Sequence, residues 1–158
     1  MQTFPQVVGP DLNAKDQCES ILRSIPQWFG IEEALLHYVA DTAAMPTFAI
    51  PSGERLEAFV TLREHFPRAW EVHCMAVRAD ARRKGHGRAL MTHAEDWLIQ
   101  RGVDVLQVKT VAEKNTPSPY DETRPFYLAM GFTPLEVFPE LWAPQNPCLQ
   151  LVKFIGRR

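Results

Sequence analysis

The segment Val77-Arg78-Ala79-Asp80-Ala81-Arg82-Arg83-Lys84-Gly85-His86-Gly87-Arg88 joins a β-prone run to an amphipathic helical one. Residues 70–77 before it are rich in strand formers. After it, Ala89, Leu90, Ala94, Trp97 and Leu98 recur at helical spacing up to Arg101, and Gly102 suits the C-terminal cap. Gly85 and Gly87 allow close approach of a ligand and backbone conformations closed to other residues. Free N–H groups at a helix start, aided by the helix dipole, bind anions. Arg78, Arg82, Arg83, Lys84 and Arg88 can add charge-assisted hydrogen bonds. The segment therefore reads as a loop that grips a pyrophosphate. Neither GxxxxGK[ST] nor GxGxxG occurs, which excludes the usual nucleoside-triphosphate and dinucleotide signatures.

Working outward, residues 103–111 follow the helix and alternate as a largely buried strand. With the strand 70–77 and the helix 88–101 they form a βαβ-like unit. Upstream, residues 47–50 and 56–63 are strands around the turn Pro51-Ser52-Gly53-Glu54, and Pro67 separates the second from strand 70–77. Two helices precede them, over residues 14–25 with Asn13 as N-cap and over residues 31–44. Downstream, a loop with Pro117 and Pro119 enters a short helix near residues 123–130, closed by Gly131. Strands at 132–138 and 148–155 follow, separated by a loop holding Pro139, Pro144 and Pro147. The expected fold is α/β (α+β), one domain over residues 1–158.

Composition sets outer limits. A chain of 158 residues, 46% apolar and 23% charged, suits one globular domain with a substantial core. No run approaches the roughly 18 apolar residues of a membrane helix. Residues 1–10 have neither a basic leader nor an apolar stretch, so a secretory signal is not expected and the cytoplasm is the default location. Cys18, Cys74 and Cys148 are widely spaced and read as buried free thiols, and no metal site is expected. A net charge of −2 argues against a nucleic-acid-binding protein.

The loop, in its strand-to-helix setting, resembles the GNAT superfamily of N-acetyltransferases. Arg82, Gly85 and Gly87 fill the three defining positions of that family's [Q/R]-x-x-G-x-[G/A] motif. Phe126-Tyr127-Leu128-Ala129-Met130-Gly131-Phe132 resembles its second signature, a short helix reading FYxxxGF. The resemblance covers roughly residues 47–155. It implies a mixed, mostly antiparallel central sheet of about six to seven strands flanked by helices. It also implies acetyl-CoA as co-substrate. Arg82, Arg83, Lys84, Gly85, His86, Gly87 and Arg88 would hold the pyrophosphate, and the Met75 and Val77 amides would meet the thioester oxygen and the pantetheine arm. Many members carry asparagine where this chain has Tyr120, so that role does not carry over, and the tyrosine would stack or hydrogen-bond there instead. Pro125 fits the short helix only in its first turn.

The resemblance also implies the chemistry: acetyl transfer to a primary amine by direct attack in a ternary complex. Tyr127 is the candidate acid beside the coenzyme sulfur. Glu71 is the candidate base, His73 its competitor, and water a third route. Simple alternation puts Glu71, His73, Met75 and Val77 on one strand face, and Cys74 on the other. Trp28, Phe29, Trp70 and Trp142 would wall the acceptor site, with Glu122, Glu136 or Glu140 attracting a cation. A small-molecule amine is expected ahead of a protein lysine, with no membrane or nucleic-acid partner and with room for a homodimer. The competing reading keeps the fold and removes the reaction, leaving a non-catalytic acyl-CoA-binding regulatory module.

Overall fold

The computed structural model describes residues 5–156, so the first four positions, part of the stretch in which no secretory signal is expected, lie outside the described residues. Helices α1 (Lys15–Arg23) and α2 (Glu32–Ala44) come first, followed by strands β1 (Thr47–Ser52), β2 (Arg55–Phe66) and β3 (Ala69–Val77). A 3-10 turn over Ala79–Ala81 leads to α3 (His86–Gln100), β4 (Val105–Val111), α4 (Tyr120–Ala129), β5 (Thr133–Ala143) and β6 (Asn146–Phe154). One six-stranded sheet runs in the order β1-β2-β3-β4-β6-β5, and β3–β4 is its parallel pair. The other pairs are antiparallel. This is the mixed sheet the sequence leads one to expect.

Apolar surface is divided between the two sheet faces. On one, Leu90, Met91, Ala94 and Leu98 of α3 bury against Phe48, Val60, Leu62, Val72 and Leu106. On the other, Cys18, Ile21 and Leu22 of α1 and Leu35 and Val39 of α2 cover Ala49, Phe59, Cys74 and Ala76. The helical stripes at i, i+3 and i+4 supply these contacts, because packing of such a stripe is the main source of helix stability. No side chain caps α1, whose N-cap is Ala14 rather than Asn13.

Three irregularities in the pairing of β1, β2 and β3 change what alternation would dictate there. Thr61 pairs with Cys74 and Leu62 with Val72, so His73 is an extra residue in β3. Likewise His65 is extra between Glu64 and Phe66, and Glu57 between Leu56 and Ala58 of β2. An inserted residue reverses which face the following side chains occupy. Met75 and Val77 therefore pack with the α3-side core, while Cys74 and Ala76 join the α1/α2 side. Glu71, paired across the sheet with Arg63, lies on the α1/α2 side too. The expectation that Glu71, His73, Met75 and Val77 share one face is thus corrected.

Two proline-based expectations also change. The loop expected over residues 139–147 shrinks to a turn at Pro144 and Gln145, because β5 continues to Ala143 and β6 begins at Asn146. As the sheet edge, β5 tolerates Pro139 because an outward position needs no ladder donor. Helix α4 starts at Tyr120, so Pro125 lies in its interior rather than in its first turn.

Burial sets an alkaline limit on stability. It raises the Cys18 thiol to about 11, the Tyr38 phenol to about 12, and the Cys74 thiol further still. Unfolded thiols ionise near about 8.5 and phenols near about 10, whereas these folded groups stay neutral. The unfolded chain then binds fewer protons, so this contribution is complete below about pH 8.5 and falls as pH rises towards about 12. The melting temperature measured from pH 7 to 11 should hold and then drop; a flat profile to pH 11 contradicts this.

Candidate active site

Strands β3 and β4 pair only from Ala69↔Val105 to Val72↔Val108. Beyond that point β3 stays bonded to β2 and β4 to β6, so their facing edges diverge. Residues 73–77 and 109–111 thus border an opening in the middle of the sheet. Exposed strand edges invite an added extended ligand, and this one is short and flanked by helices.

The glycine loop lies at the C-terminal end of β3. Arg83 and Gly85 both take left-handed backbone, with φ of 66° and 81°, and α3 begins at His86. An added Cβ at Gly85 would touch nothing within 4 Å, so glycine serves conformation there. Gly87 differs. A Cβ on it would come to 3.1 Å from Phe126 Cζ and 3.9 Å from Met75 Cε. The loop, α4 and the opened part of β3 converge on this glycine.

The basic side chains divide their labour. Arg83, Lys84 and Arg88 are exposed and available to an anion. Arg82 pairs with Glu122 at 3.1 Å and lies 4.5 Å over the Trp28 ring. Arg78 donates from Nη1 to Ser20 Oγ and from Nε and Nη2 to the Leu56 carbonyl, tying the strand end to α1 and β2. His86 points inward: its Nε2 is 2.6 Å from Glu57 Oε2, and the pair is buried. Its imidazole thus braces the loop from beneath, and only its main chain faces the helix start. The bulge at Glu57 aims that carboxylate, a signal absent from the local pattern of β2.

From α4, Tyr127 is only 5% exposed and packs edge-on against Phe126 and Phe132. Burial, with a smaller effect from Cys74, holds its phenol well above the usual tyrosine range, so it remains a proton donor. Tyr120 donates its hydroxyl to the Trp28 carbonyl at 3.1 Å, and Trp28 Nε1 donates to Thr123 Oγ1 at 3.1 Å. These bonds fasten the start of α4 to the link between α1 and α2. The Tyr120 hydroxyl is therefore committed to the scaffold.

On the α1/α2 face, Glu71 Oε1 is 2.6 Å from His65 Nε2 and Glu71 Oε2 is 3.5 Å from Lys109 Nζ. Gln107, its neighbour across β4, bonds onward to Gln150 at 2.6 Å. His73 Nε2 lies 2.8 Å from Asp41 Oδ2, and its ring stacks edge-on against Tyr38 at 5.3 Å. Trp28 and Phe29 border this side, with Phe29 against Tyr38 at 5.7 Å. Trp70 does not: it stacks on Trp97 in the opposite core. Trp142, Glu136 and Glu140 are exposed along β5. Sequence reading missed Asp41, Glu57, His65 and Lys109, whose partners lie on other elements; only the helical spacing of Tyr38 and Asp41 hints at a shared face.

In comparisons with solved structures, the aminoglycoside 6'-N-acetyltransferase from Enterococcus faecium superposes with a TM-score of 0.77 at 20% identity, covering 97% of this chain and 98% of that one. An aminoglycoside 6'-N-acetyltransferase complexed with coenzyme A gives 0.77 at 18%, with the same coverage of 97% and 98%. The ribosomal-protein-S18-alanine N-acetyltransferase of Escherichia coli gives 0.73 at 16%, covering 97% and 96%. At such identities the likeness is one of fold. No protein of curated function matches the chain by sequence. The acetyltransferase (GNAT) family model matches residues 16–132, a span that contains the opened strand pair, the glycine loop and Tyr127. With its sheet parted beside a glycine-bearing helix start, this chain belongs to the acetyltransferase (GNAT) family, whose acetyl donor is acetyl-CoA.

Proposed function

We propose that this chain, acting as one domain, transfers acetyl from acetyl-CoA to a primary amine of a small molecule by direct attack in a ternary complex. The observation that carries this reading is the parting of β3 from β4 beside the glycine loop. The residues present fit an acyl-CoA. Arg83, Lys84, Arg88 and the free N–H groups of the α3 start suit a pyrophosphate, with Arg82 held close by Trp28 and Glu122. The free edge of β3 at Met75 and Val77 suits an extended amide-bearing arm. Bound there, the thioester supplies an activated acyl carbon.

The chain's own groups then divide between the two faces. Tyr127 belongs to the α3-side core and stays protonated, so it can give a proton to the departing sulfur. The Met75 N–H polarises the carbonyl oxygen. Glu71 and His73 lie towards α1 and α2, where an acceptor can approach from the side opposite Tyr127. The aminoglycoside acetyltransferases among the neighbours, together with the Trp28–Phe29–Tyr38 wall, support a compact amine over a protein lysine. Three buried free thiols suit the reducing cytoplasm.

Coenzyme A at about 100 times its Kd should stabilise the fold by about 2.7 kcal/mol. That is a rise in Tm of about 5–10 °C for a chain of this size. Thiol release from acetyl-CoA should follow on addition of one or more amines from a panel of amino sugars, polyamines and amino acids. Stabilisation without thiol release on any amine supports the regulatory module instead. Absence of stabilisation removes both.

A further inference from the structure

His73 occupies an unusual point in the sheet. It immediately follows the last β3–β4 pair, Val72↔Val108, so it stands at the apex of the opening. It is also the bulged residue of β3. Bulges concentrate beside active sites, where they re-aim a side chain. Here the imidazole is delivered to α2, with Nε2 2.8 Å from Asp41 Oδ2 and the ring held edge-on by Tyr38. An ionised carboxylate can only accept, so Nε2 carries the hydrogen and Nδ1 keeps its lone pair.

Glu71 is in a different position. It lies one step below the apex, within the paired part of β3 and β4. Its two oxygens are engaged by His65 and Lys109, and its side chain is 8% exposed against 16% for His73. With both oxygens already held by partners, that carboxylate is not free to reach a further donor.

We infer that His73 is the base that deprotonates the acceptor ammonium, and that Asp41 is its positioning residue, fixing the tautomer and stabilising the imidazolium. This rests on the acetyl-transfer reading above. The step balances. Neutral His73 takes one proton from R–NH3+; the amine forms the C–N bond as the C–S bond breaks; the amide nitrogen's surplus proton passes to the thiolate by way of Tyr127. His73 then returns its proton to solvent. Asp41 and Tyr38 of α2 contact this imidazole, Cys74, Tyr120 and Glu71 act electrostatically on Tyr38 beside it, and Lys109 of β4 pairs with Glu71.

The test uses the full chain, acetyl-CoA, and whichever amine of the panel releases thiol fastest. His73→Gln should lower kcat/KM for the amine by about 100-fold and erase the acidic limb of its pH profile, with coenzyme A affinity unchanged. Asp41→Asn should lower kcat/KM by about 10-fold or more, because an amide can bond either tautomer of the ring and no longer fixes one. The imidazole 15N signals of His73 should report the single Nε2–H tautomer in the wild type and a mixture in Asp41→Asn, a change that a merely structural contact would leave unlinked to rate. If His73→Gln does not fold, the combined loss of rate and of the single tautomer in Asp41→Asn decides. An unchanged acidic limb in His73→Gln overturns the assignment, as does its loss in Glu71→Gln alone. Turnover that is indifferent to His73 sinks this inference and leaves acetyl transfer standing. Coenzyme A binding with no turnover on any amine sinks acetyl transfer, and the base falls with it.

Discussion

Replacing Gly87 by leucine should weaken coenzyme A binding by at least about 100-fold, or about 2.7 kcal/mol. The reason is steric and it acts twice. Even a Cβ at this position meets the Phe126 ring at 3.1 and 3.2 Å, tighter than comfortable packing permits. Branched atoms beyond it must either push α4 outward or turn into the space above the α3 start. The first displaces Tyr127, the next residue along α4, and the second covers the N–H groups at the start of α3, where the proposed pyrophosphate would sit. Overpacking should also cost about 1–3 kcal/mol of stability. Gly85→Ala provides the contrast, since it meets nothing within 4 Å and pays only for its φ of 81°, about 1–2 kcal/mol. Calorimetric titration with coenzyme A and thermal melts of both variants separate the effects. Unchanged affinity in Gly87→Leu removes the loop from the binding site.

Tyr127→Phe should lower kcat by about 100-fold while leaving coenzyme A affinity within about twofold. The phenyl ring keeps the contacts with Phe126 and Phe132, so the fold loses little. What disappears is one buried O–H. Burial holds the phenol above its usual range, so ionisation of the wild-type group contributes no loss of rate below about pH 10. The deficit of the variant should therefore be constant from pH 6 to 9. A turnover number equal to wild type across that range rejects Tyr127 as the proton donor and leaves water to protonate the sulfur.

These two predictions concern residues legible in the sequence. Gly87 and Tyr127 belong to short motifs whose spacing is set by one strand-to-helix turn and by one short helix. Backbone conformation at Gly85 and amphipathicity in α3 are likewise local properties, and local properties are written in consecutive residues. The element order followed in the same way, and with it the βαβ unit and the mostly antiparallel sheet. Prolines misled at two points. Pro125 sits inside α4, and Pro139 lies in a strand, because helix packing and an edge position compensated for the missing donors.

The faces of β3 were decided elsewhere. Periodicity of two assigns Glu71, His73, Met75 and Val77 to one side only if pairing with β2 has no insertion, and it has one at His73. Nothing in residues 70–77 announces that bulge. It arises from how twelve residues of β2 lie against nine of β3, between helices that must bury Cys74 on one side and Val72 on the other. The same holds for the three histidine–carboxylate pairs, each of which includes a bulged residue. Glu57 and His86 are 29 positions apart, and Asp41 and His73 are 32 apart. By itself the sequence determined a glycine-bearing strand-to-helix turn, a βαβ unit and the places of Gly85, Gly87 and Tyr127 in them, because each depends on neighbours along the chain. Tertiary structure alone decided where the sheet parts and that His86 braces the loop from below. It also turned His73 towards Asp41, because cross-strand register and helix packing are settled between segments distant in sequence.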